Sequence, residues 1–359
     1  MEEFYCKTRV FSGPGSLSRL SQLEIRRLLL VSDPYFHKTG WTEKIAKLTG
    51  ASHTAVFADI RPDPTVELAA EGTKQLLETD PDTVIALGGG SAMDCAKAMV
   101  YFSHKKPRLV AIPTTSGSGS EVTDFAILTH GGTKHPLVDG TLCPDVAILD
   151  SELLTALPRS LIADSGFDVL SHALEAYVAT GAGDMTDALA SGAFSGVMKK
   201  LYASYAGDQT VRQAVHNAAT MAGVAFTRAG LGLCHALSHS LGGQFHIPHG
   251  RLNAILLPAV IDCNSAAAGA KYACIARQAG ISGSVDTLAI RNLKNALVRL
   301  RRELQMPETL KEAGVDLQAL REKTGQIIAA ALADPCCATN PVKPTEAMVR
   351  RVLNEVSGG

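Results

Sequence analysis

The chain has 359 residues, of which 46% are hydrophobic and 19% are charged, a composition typical of globular enzymes and unlike that of disordered proteins. This length favours two domains. The 34 Lys and Arg residues nearly balance the 35 Asp and Glu residues. Nucleic-acid-binding proteins and peripheral membrane proteins usually carry a basic excess, so this balance argues against both classes.

The N-terminal residues and the cysteines favour a cytosolic protein. The opening segment "MEEFYCKTRVF" is acidic and has no apolar stretch of the kind found in secretory signals. Uninterrupted apolar runs stay well short of the ~18 residues that span a bilayer. The eight cysteines are scattered without a C-x-x-C pair, so we expect reduced thiols that are mostly buried.

The first 160 residues alternate short apolar runs with helical segments. The predicted strands, apolar nearly throughout, are 26–33, 53–59, 83–90, 108–115 and 145–150. The predicted helices between them are 41–50, 65–80 and 91–104. Strands without polar alternation are covered on both faces. The pattern therefore predicts an α/β domain over residues 1–160 with a doubly wound, mostly parallel sheet.

Residues 161–359 have a different texture, rich in Ala and Leu and poor in β-branched runs. Amphipathic helices are predicted at 161–179, 184–204, 208–228, 284–305 and 344–357. We therefore expect a second domain, 161–359, that is all α-helical.

Two glycine- and hydroxyl-rich loops follow predicted strands. In "ALGGGSAMDCAKAM" the residues Gly88–Ser91 lie between a strand and a helix, where backbone N–H groups and the helix dipole can bind phosphate. The dinucleotide fingerprint G-x-G-x-x-G fails because Met93 occupies the third glycine position. A tight turn with Ser91 as N-cap is the alternative. The loop "IPTTSGSGSEVT" (112–123) follows another strand, and such a pair is typical of ligand sites in open α/β sheets.

Asp33 ends the first predicted strand, in "LLLVSD". An acidic side chain there can bind ribose hydroxyls and repel a 2′-phosphate. Capping of the turn before Pro34 is an equally good interpretation from spacing alone.

Asp168 and His172 lie four residues apart in the apolar helical segment "ADSGFDVLSHALEAYV". This spacing puts both on one helix face, as a shared metal requires, although a surface ion pair has the same spacing. A buried carboxylate needs a partner, and a cation is suitable.

The segment "GLCHALSHSLGGQFHIPHGRLNAILLP" adds four histidines at positions 235, 239, 246 and 249. One carboxylate with three imidazoles suits Fe²⁺ or Zn²⁺ and leaves a coordination position for substrate. The imidazoles outnumber the positions, and spacing does not choose among them.

Four stretches resemble the iron-containing (group III) alcohol dehydrogenases: "GGGSAMDCAKA", "IPTTSGSGSEVT", "GFDVLSHALEAY" and "LGLCHALSHSLGGQFHIPHGRLNAILLP". The resemblance extends over nearly the whole chain. Within the family, "RPDPT", "LGGQFHIPHG" and the C-terminal "ALAD" and "TNP" are most similar to the 1-propanol dehydrogenases of propanediol-utilisation microcompartments.

The resemblance implies the roles of individual residues. The metal ligands would be Asp168, His172, His235 and His249. His239 falls where the family has a non-ligand histidine near the nicotinamide, which implies proton transfer, and His246 falls at a variable position. The implied NAD-binding residues are Asp33, Gly89, Gly90, Ser91, Thr114, Thr115, Ser118, Thr123 and Lys134.

The resemblance further implies an active site between the two domains and NAD-dependent interconversion of a short-chain primary alcohol and its aldehyde, with propanal and 1-propanol as the expected pair. The expected metal is Fe²⁺, with Zn²⁺ as the alternative. Two positions depart from the family: Asp63 replaces a common Asn, and Val342 a common Arg.

Three other functions are alternatives to this one. Zinc-dependent polyol oxidation, as in glycerol dehydrogenases, is the nearest. A dehydroquinate-synthase-like lyase fits less well because the segments around the ligands are apolar. The third is a non-catalytic subunit that keeps the fold, and the intact set of metal ligands argues against it.

The resemblance also implies a homodimer or larger homo-oligomer in the cytoplasm, located in a bacterial microcompartment with its shell or enzymes as partners.

Overall fold

The chain divides into two units within the part that the computed structural model describes, residues 4–131 and 133–359. One unit comprises residues 5–157 and the other comprises residues 158–359. The division lies three residues before the expected boundary at Ser160.

The N-terminal unit contains eight strands and four α-helices in its described residues. The strands are β1 (Arg9–Ser12), β2 (Arg27–Ser32), β3 (His53–Phe57), β4 (Thr83–Gly88), β5 (Arg108–Pro113), β6 (Phe125–His130), β7 (Thr133–Val138) and β8 (Val146–Leu149). The helices are α1 (Pro34–Lys38), α2 (Trp41–Thr49), α3 (Val66–Thr79) and α4 (Gly90–Ser103). Six strands form one sheet in the order β1-β8-β5-β4-β2-β3, and every pair in it is parallel.

Alternate residues of the central strands feed two hydrophobic cores, one on each face of the sheet. Leu29 and Val31 of β2 pack in the core that includes residues of α3 and α4. Leu28 and Leu30 of the same strand pack in the core that includes Phe36 of α1 and Ile45 of α2. Because both faces are buried, the strands carry apolar residues at successive positions, which is the pattern that predicted them.

The predicted doubly wound fold class is confirmed, and three strands were not predicted. Strand β1 is a short edge strand whose residues are largely exposed, so it lacks an apolar signal. Strands β6 and β7 form a separate antiparallel pair, in which β6 alternates buried and half-exposed residues. These three strands lack the continuous burial of β2, β4 and β5.

The C-terminal unit is helical throughout residues 158–359, all of which the structure describes. Its helices are α5 (Arg159–Val178), α6 (Asp184–Ala206), α7 (Arg212–Ala229), α8 (Leu233–Phe245), α9 (His249–Gln278), α10 (Asp286–Glu303), α11 (Leu317–Ala333) and α12 (Glu346–Val356). The predicted helix at 208–228 begins four residues later, because Asp208 caps a preceding 3-10 turn, Gln209–Val211.

Helix α9 is long and apolar enough to span a membrane by length and composition alone. Most of its apolar stretch is buried within the protein, as in the core helix of a folded domain, so the feature is weak evidence for a membrane span. The helix packs mainly against α5, α8 and α10. This packing brings its first residue, His249, to the segment of α5 that carries Asp168.

Candidate active site

Three helices of the C-terminal unit bring one carboxylate oxygen to three imidazoles. Oδ1 of Asp168 lies 3.9 Å from Nε2 of His172, one turn further along α5. The same oxygen lies 3.8 Å from Nε2 of His235 on α8 and 3.6 Å from Nε2 of His249 on α9. Each of the three histidines that the resemblance selected as ligands therefore has Nε2 within 4 Å of Asp168. The ligand atoms of Asp168, His172 and His235 also lie within 4.8 Å of one another.

Packing and burial hold these rings in place. The ring of His172 lies between the ring of Phe226, with centroids 4.4 Å apart, and the ring of His235, with centroids 4.5 Å apart. Burial lowers the pKa of His235 well below its ordinary value, and the nearby His172 lowers it further. A neutral imidazole is the form that binds a metal, so this environment favours ligation.

A glycine allows α9 to approach α5 closely enough for His249 to join the cluster. A Cβ atom on Gly250 would lie 1.8 Å from the backbone oxygen of Asp164 and 3.2 Å from Cβ of Asp168. A bidentate ion pair then joins the same turns, since Arg251 donates to both carboxylate oxygens of Asp164 at 3.1 and 2.9 Å. One nitrogen-rich set of three imidazoles and a carboxylate fits Fe²⁺ or Zn²⁺.

In the N-terminal unit, the two predicted loops lie side by side. Strands β4 and β5 are neighbours with Gly88 opposite Pro113, and the N–H of Thr114 donates to the oxygen of Gly88 at 2.9 Å. Helix α4 begins after Gly89, its N-cap residue, so Ser91 lies in the first turn and is not the N-cap.

The glycines keep this helix N-terminus open. A Cβ on Gly89 would lie 3.3 Å from Oγ1 of Thr115, and a Cβ on Gly90 would lie 3.2 Å from Cβ of Ser118. A side chain at either position would therefore fill the space between the two loops. With glycine there, backbone N–H groups and the hydroxyls of Thr115 and Ser118 border that space. This cradle fits a pyrophosphate at the positive end of the helix dipole.

Asp33 follows β2, the strand beside β4. Its Oδ1 accepts hydrogen bonds from the N–H groups of Tyr35 and Phe36, at 2.9 and 3.0 Å, and so caps α1. Its Oδ2 lies 3.6 Å from the position of a Cβ on Gly88. The capping interpretation is therefore confirmed, and Oδ2 lies close to the glycine loop, where ribose binding was predicted.

Thr123 and Lys134 have partners within the protein. Oγ1 of Thr123 lies 2.8 Å from the ammonium of Lys97, which is buried and also donates to Ser120 and to the backbone of Phe125. Lys134 forms a 2.7 Å ion pair with Asp63, the residue that departs from the family. Contacts of Thr123 and Lys134 with a nucleotide stay predictions.

Comparison with known proteins covers both units. Residues 7–151 match the family described as iron-containing alcohol dehydrogenase, and residues 162–357 match the description "Fe-containing alcohol dehydrogenase family, C-terminal". The chain belongs to the iron-containing alcohol dehydrogenase family.

Relatives in this family match the chain from end to end. A 1-propanol dehydrogenase of Citrobacter freundii is 40% identical and is matched over 99% of this chain and 100% of its own length. An NADPH-dependent butanol dehydrogenase of Clostridium saccharobutylicum is 36% identical, with 100% of this chain and 99% of the relative covered. The structure of an iron-containing alcohol dehydrogenase from Thermococcus thioreducens is 34% identical, has a TM-score of 0.93, and is covered completely by 99% of this chain.

Two buried polar residues beside the candidate ligands were not predicted from sequence. Oε2 of Glu175 lies 2.6 Å from Nδ1 of His235, and the amide of Asn253 donates to Oδ1 of Asp168 at 2.9 Å. Burial raises the pKa of Glu175 to about 7, while backbone N–H groups lower it. A signal existed for both: Glu175 follows His172 by three residues, and Asn253 follows His249 by four, on the same helix faces.

His239 lies beside the predicted ligands and contacts a second carboxylate, that of Asp334. Its ring stacks on that of His249, with centroids 5.1 Å apart, and its Nδ1 lies 2.8 Å from Oδ2 of Asp334. Burial would raise the pKa of Asp334, but hydrogen bonds from His239 and from the N–H of Cys336 keep it below its ordinary value. No sequence signal connects residues 239 and 334.

The remaining residues of the histidine-rich segment have structural roles. His246 is exposed and is the C-cap of α8, with a left-handed backbone at φ 54°. Cys234 is fully buried, and burial raises its pKa well above the ordinary value. A thiol of this kind is inert, as expected for a packed small residue.

Proposed function

We propose that this protein is a metal-dependent and NAD(H)-dependent dehydrogenase that interconverts a short-chain primary alcohol and its aldehyde, with 1-propanol and propanal as the preferred pair. The observation that carries the proposal is the single oxygen of Asp168 that faces Nε2 of three histidines at 3.6 to 3.9 Å. Relatives named as 1-propanol and butanol dehydrogenases support a small alcohol as substrate.

Asp168, His172, His235 and His249 would hold the ion, which we propose is Fe²⁺, with Zn²⁺ as the alternative. A metal of this kind, when bound, acts as a Lewis acid towards the oxygen of an alcohol or aldehyde. Asp168, His172 and His235 are each less than 10% exposed, and Phe226 covers one face of His172. These residues keep water away from the reacting oxygen and so strengthen electrostatic interactions there.

Gly89, Gly90, Ser91, Thr114, Thr115 and Ser118 would hold the pyrophosphate of NAD, whose nicotinamide exchanges a hydride with the carbon of the substrate. Asp33 would bind the ribose through Oδ2, because Oδ1 already caps α1. Its negative charge disfavours the 2′-phosphate of NADP, so we propose NAD(H) for this chain.

His239 would pass the proton of the alcohol towards solvent. Asp334 holds Nδ1, which leaves Nε2 as the atom that exchanges the proton, and the side chain is 20% exposed. Loss of a general acid or base costs about 10²- to 10⁴-fold in rate. We expect His239→Ala to lower kcat within that range and to change the pH profile, whereas full activity with an unchanged profile would refute this role.

The decisive experiment is anaerobic purification with metal analysis, followed by rates with a panel of short aldehydes against NADH and NADPH. We expect about one Fe²⁺ or Zn²⁺ per chain and the fastest reduction with propanal and NADH. Stronger oxidation of glycerol with bound zinc would favour the polyol dehydrogenase alternative. Absence of any NADH consumption in the metal-loaded protein would refute the proposed activity.

We also propose, on the resemblance to microcompartment 1-propanol dehydrogenases, that the protein is a homodimer or a larger homo-oligomer in the cytoplasm. Its place there would be inside a bacterial microcompartment, in contact with shell or enzyme subunits. Sedimentation of the purified protein and fractionation of cells that express it would test the two parts of this proposal separately.

A further inference from the structure

Glu175 connects the helix that carries Asp168 and His172 to the beginning of the next ligand-bearing helix, α8. The side chain is almost completely buried. Its Oε1 accepts a hydrogen bond from the N–H of Cys234 at 2.6 Å, and its Oε2 accepts one from the N–H of Gly232 at 3.0 Å. A buried carboxylate is stable only with such donors.

These contacts cap the N-terminus of α8. The N-cap residue, Gly232, has no side chain with which to accept a hydrogen bond from the first turn, so the orphan N–H groups are bound by groups from elsewhere. Glu175 supplies two of the acceptors, and Oδ1 of Asn340 supplies a third, from the N–H of Leu233 at 3.1 Å. Capping alone would not require the carboxylate to contact a histidine ring.

Glu175 makes that additional contact. Its Oε2 lies 2.6 Å from Nδ1 of His235. Because a carboxylate oxygen only accepts hydrogen bonds, Nδ1 carries the proton and donates a hydrogen bond to it. The other ring nitrogen, Nε2, then carries the lone pair. This atom faces Asp168 at 3.8 Å and lies 3.4 Å from the amide nitrogen of Asn253. Because the backbone N–H groups of Gly232, Cys234 and His235 fix the carboxylate, the carboxylate fixes both the tautomer and the orientation of the ring.

We propose that Glu175 is a positioning residue that presents Nε2 of His235 to a divalent metal ion. Together with Asp168 and His172, it makes one face of α5 responsible for two ligands directly and for a third through a hydrogen bond. The inference rests on the proposed metal centre and extends it to a residue outside the ligand set. Partners of this kind typically change metal affinity by about 10- to 100-fold.

The test is Glu175→Gln, which preserves the size of the side chain but presents an amide N–H₂ group where the carboxylate accepted hydrogen bonds. Apoprotein is titrated with Co²⁺ and with Zn²⁺ against a chromophoric chelator, and the visible spectrum of the Co²⁺ form is recorded. We expect affinity to fall about 10- to 100-fold and the Co²⁺ absorption bands to shift, because His235 no longer has a fixed orientation.

The matched control is Asn340→Ala, which removes another cap of the same helix end without touching the ring of His235. It should lower the thermal stability but leave the metal affinity and the Co²⁺ spectrum unchanged. Equal losses of affinity in the two variants would overturn the inference, because capping of α8 would then suffice to explain them.

Other outcomes separate this inference from the proposed function. If the wild-type protein binds neither Co²⁺ nor Zn²⁺, the metal centre itself is refuted and the inference with it. If the wild-type protein binds them and Glu175→Gln binds them equally with the same spectrum, the inference alone is refuted. Should Glu175→Gln not fold, Glu175→Asp replaces it: the shorter carboxylate should weaken binding and shift the spectrum, and unchanged values would count against the role.

Discussion

Replacement of Gly250 by alanine tests whether the close approach of α9 to α5 builds the metal centre. The added Cβ would lie 1.8 Å from the backbone oxygen of Asp164, and ordinary contact begins at 3.4 Å, so the two helices must separate by about 1.6 Å. The neighbouring residue, His249, would move away from Asp168 by a similar amount.

The expected effects follow from that displacement. Overpacking of this kind costs about 1–3 kcal/mol in the free energy of unfolding, and a displacement of ~1 Å in an active site can cost about 10²-fold in rate. We expect Gly250→Ala to lose most of its bound metal and at least 100-fold in kcat for propanal reduction. Metal content is measured by mass spectrometry after anaerobic purification, and stability is measured by urea denaturation of the apoprotein.

The matched control is Gly269→Ala on the same helix. There the added Cβ would lie 3.5 Å from Cδ1 of Ile290, an ordinary contact, and alanine favours the helix by up to ~1 kcal/mol relative to glycine. This variant should retain its metal and activity. Full metal content and full activity in Gly250→Ala would refute the reasoning, because the metal centre would then form without the close approach of α9 to α5.

Three further predictions concern other parts of the molecule. Asp33→Asn keeps an oxygen that can cap α1 but removes the charge that disfavours a 2′-phosphate; we expect about a tenfold shift of kcat/KM towards NADPH, equivalent to ~1.4 kcal/mol, and an unchanged preference would contradict the role. Lys97→Met removes a buried ammonium that donates to Thr123, Ser120 and the backbone of Phe125. Loss of a partner for buried acceptors should lower the free energy of unfolding by about 1–3 kcal/mol, measured by urea denaturation, with no measurable loss as the contrary result. The folded pKa of Asp334 is below its ordinary 3.8, so its ionised form contributes stability that is fully present above that pH and is lost as the pH falls through the lowered pKa. The difference in stability between wild type and Asp334→Asn should therefore shrink as the pH falls below 3.8, and a constant difference there would argue against the His239–Asp334 contact.

The central strands, which are buried on both faces of the sheet, were predicted from their apolar sequence. Strands β2, β4 and β5 are apolar at successive positions because four consecutive residues of each alternate between the two cores. Strand β1 has exposed residues and pairs only with β8, so the physical feature that identifies a strand in the sequence is absent from it. The predicted fold class was therefore right, although three strands were missed.

The candidate site was predictable where its residues share one helix and only partly where they do not. Asp168 and His172 follow helical spacing on α5, but spacing did not choose among the histidines of α8 and α9. Selection of His235 and His249 came from resemblance, and the structure brings both to Asp168. The contact of His239 with Asp334 spans 95 residues, and such tertiary contacts leave no periodic trace in a single sequence.

The convergence of three helices on Asp168 has a consequence for heat resistance. An ion held there joins α5, α8 and α9 only in the folded chain, so its binding free energy adds to the free energy of unfolding. At a free metal concentration 100 times the Kd, the gain is about 2.7 kcal/mol, and each further tenfold adds roughly 1.4 kcal/mol. The melting temperature of this enzyme would therefore rise with the free metal concentration around it. In a cell short of the metal, the protein would lose stability as well as activity.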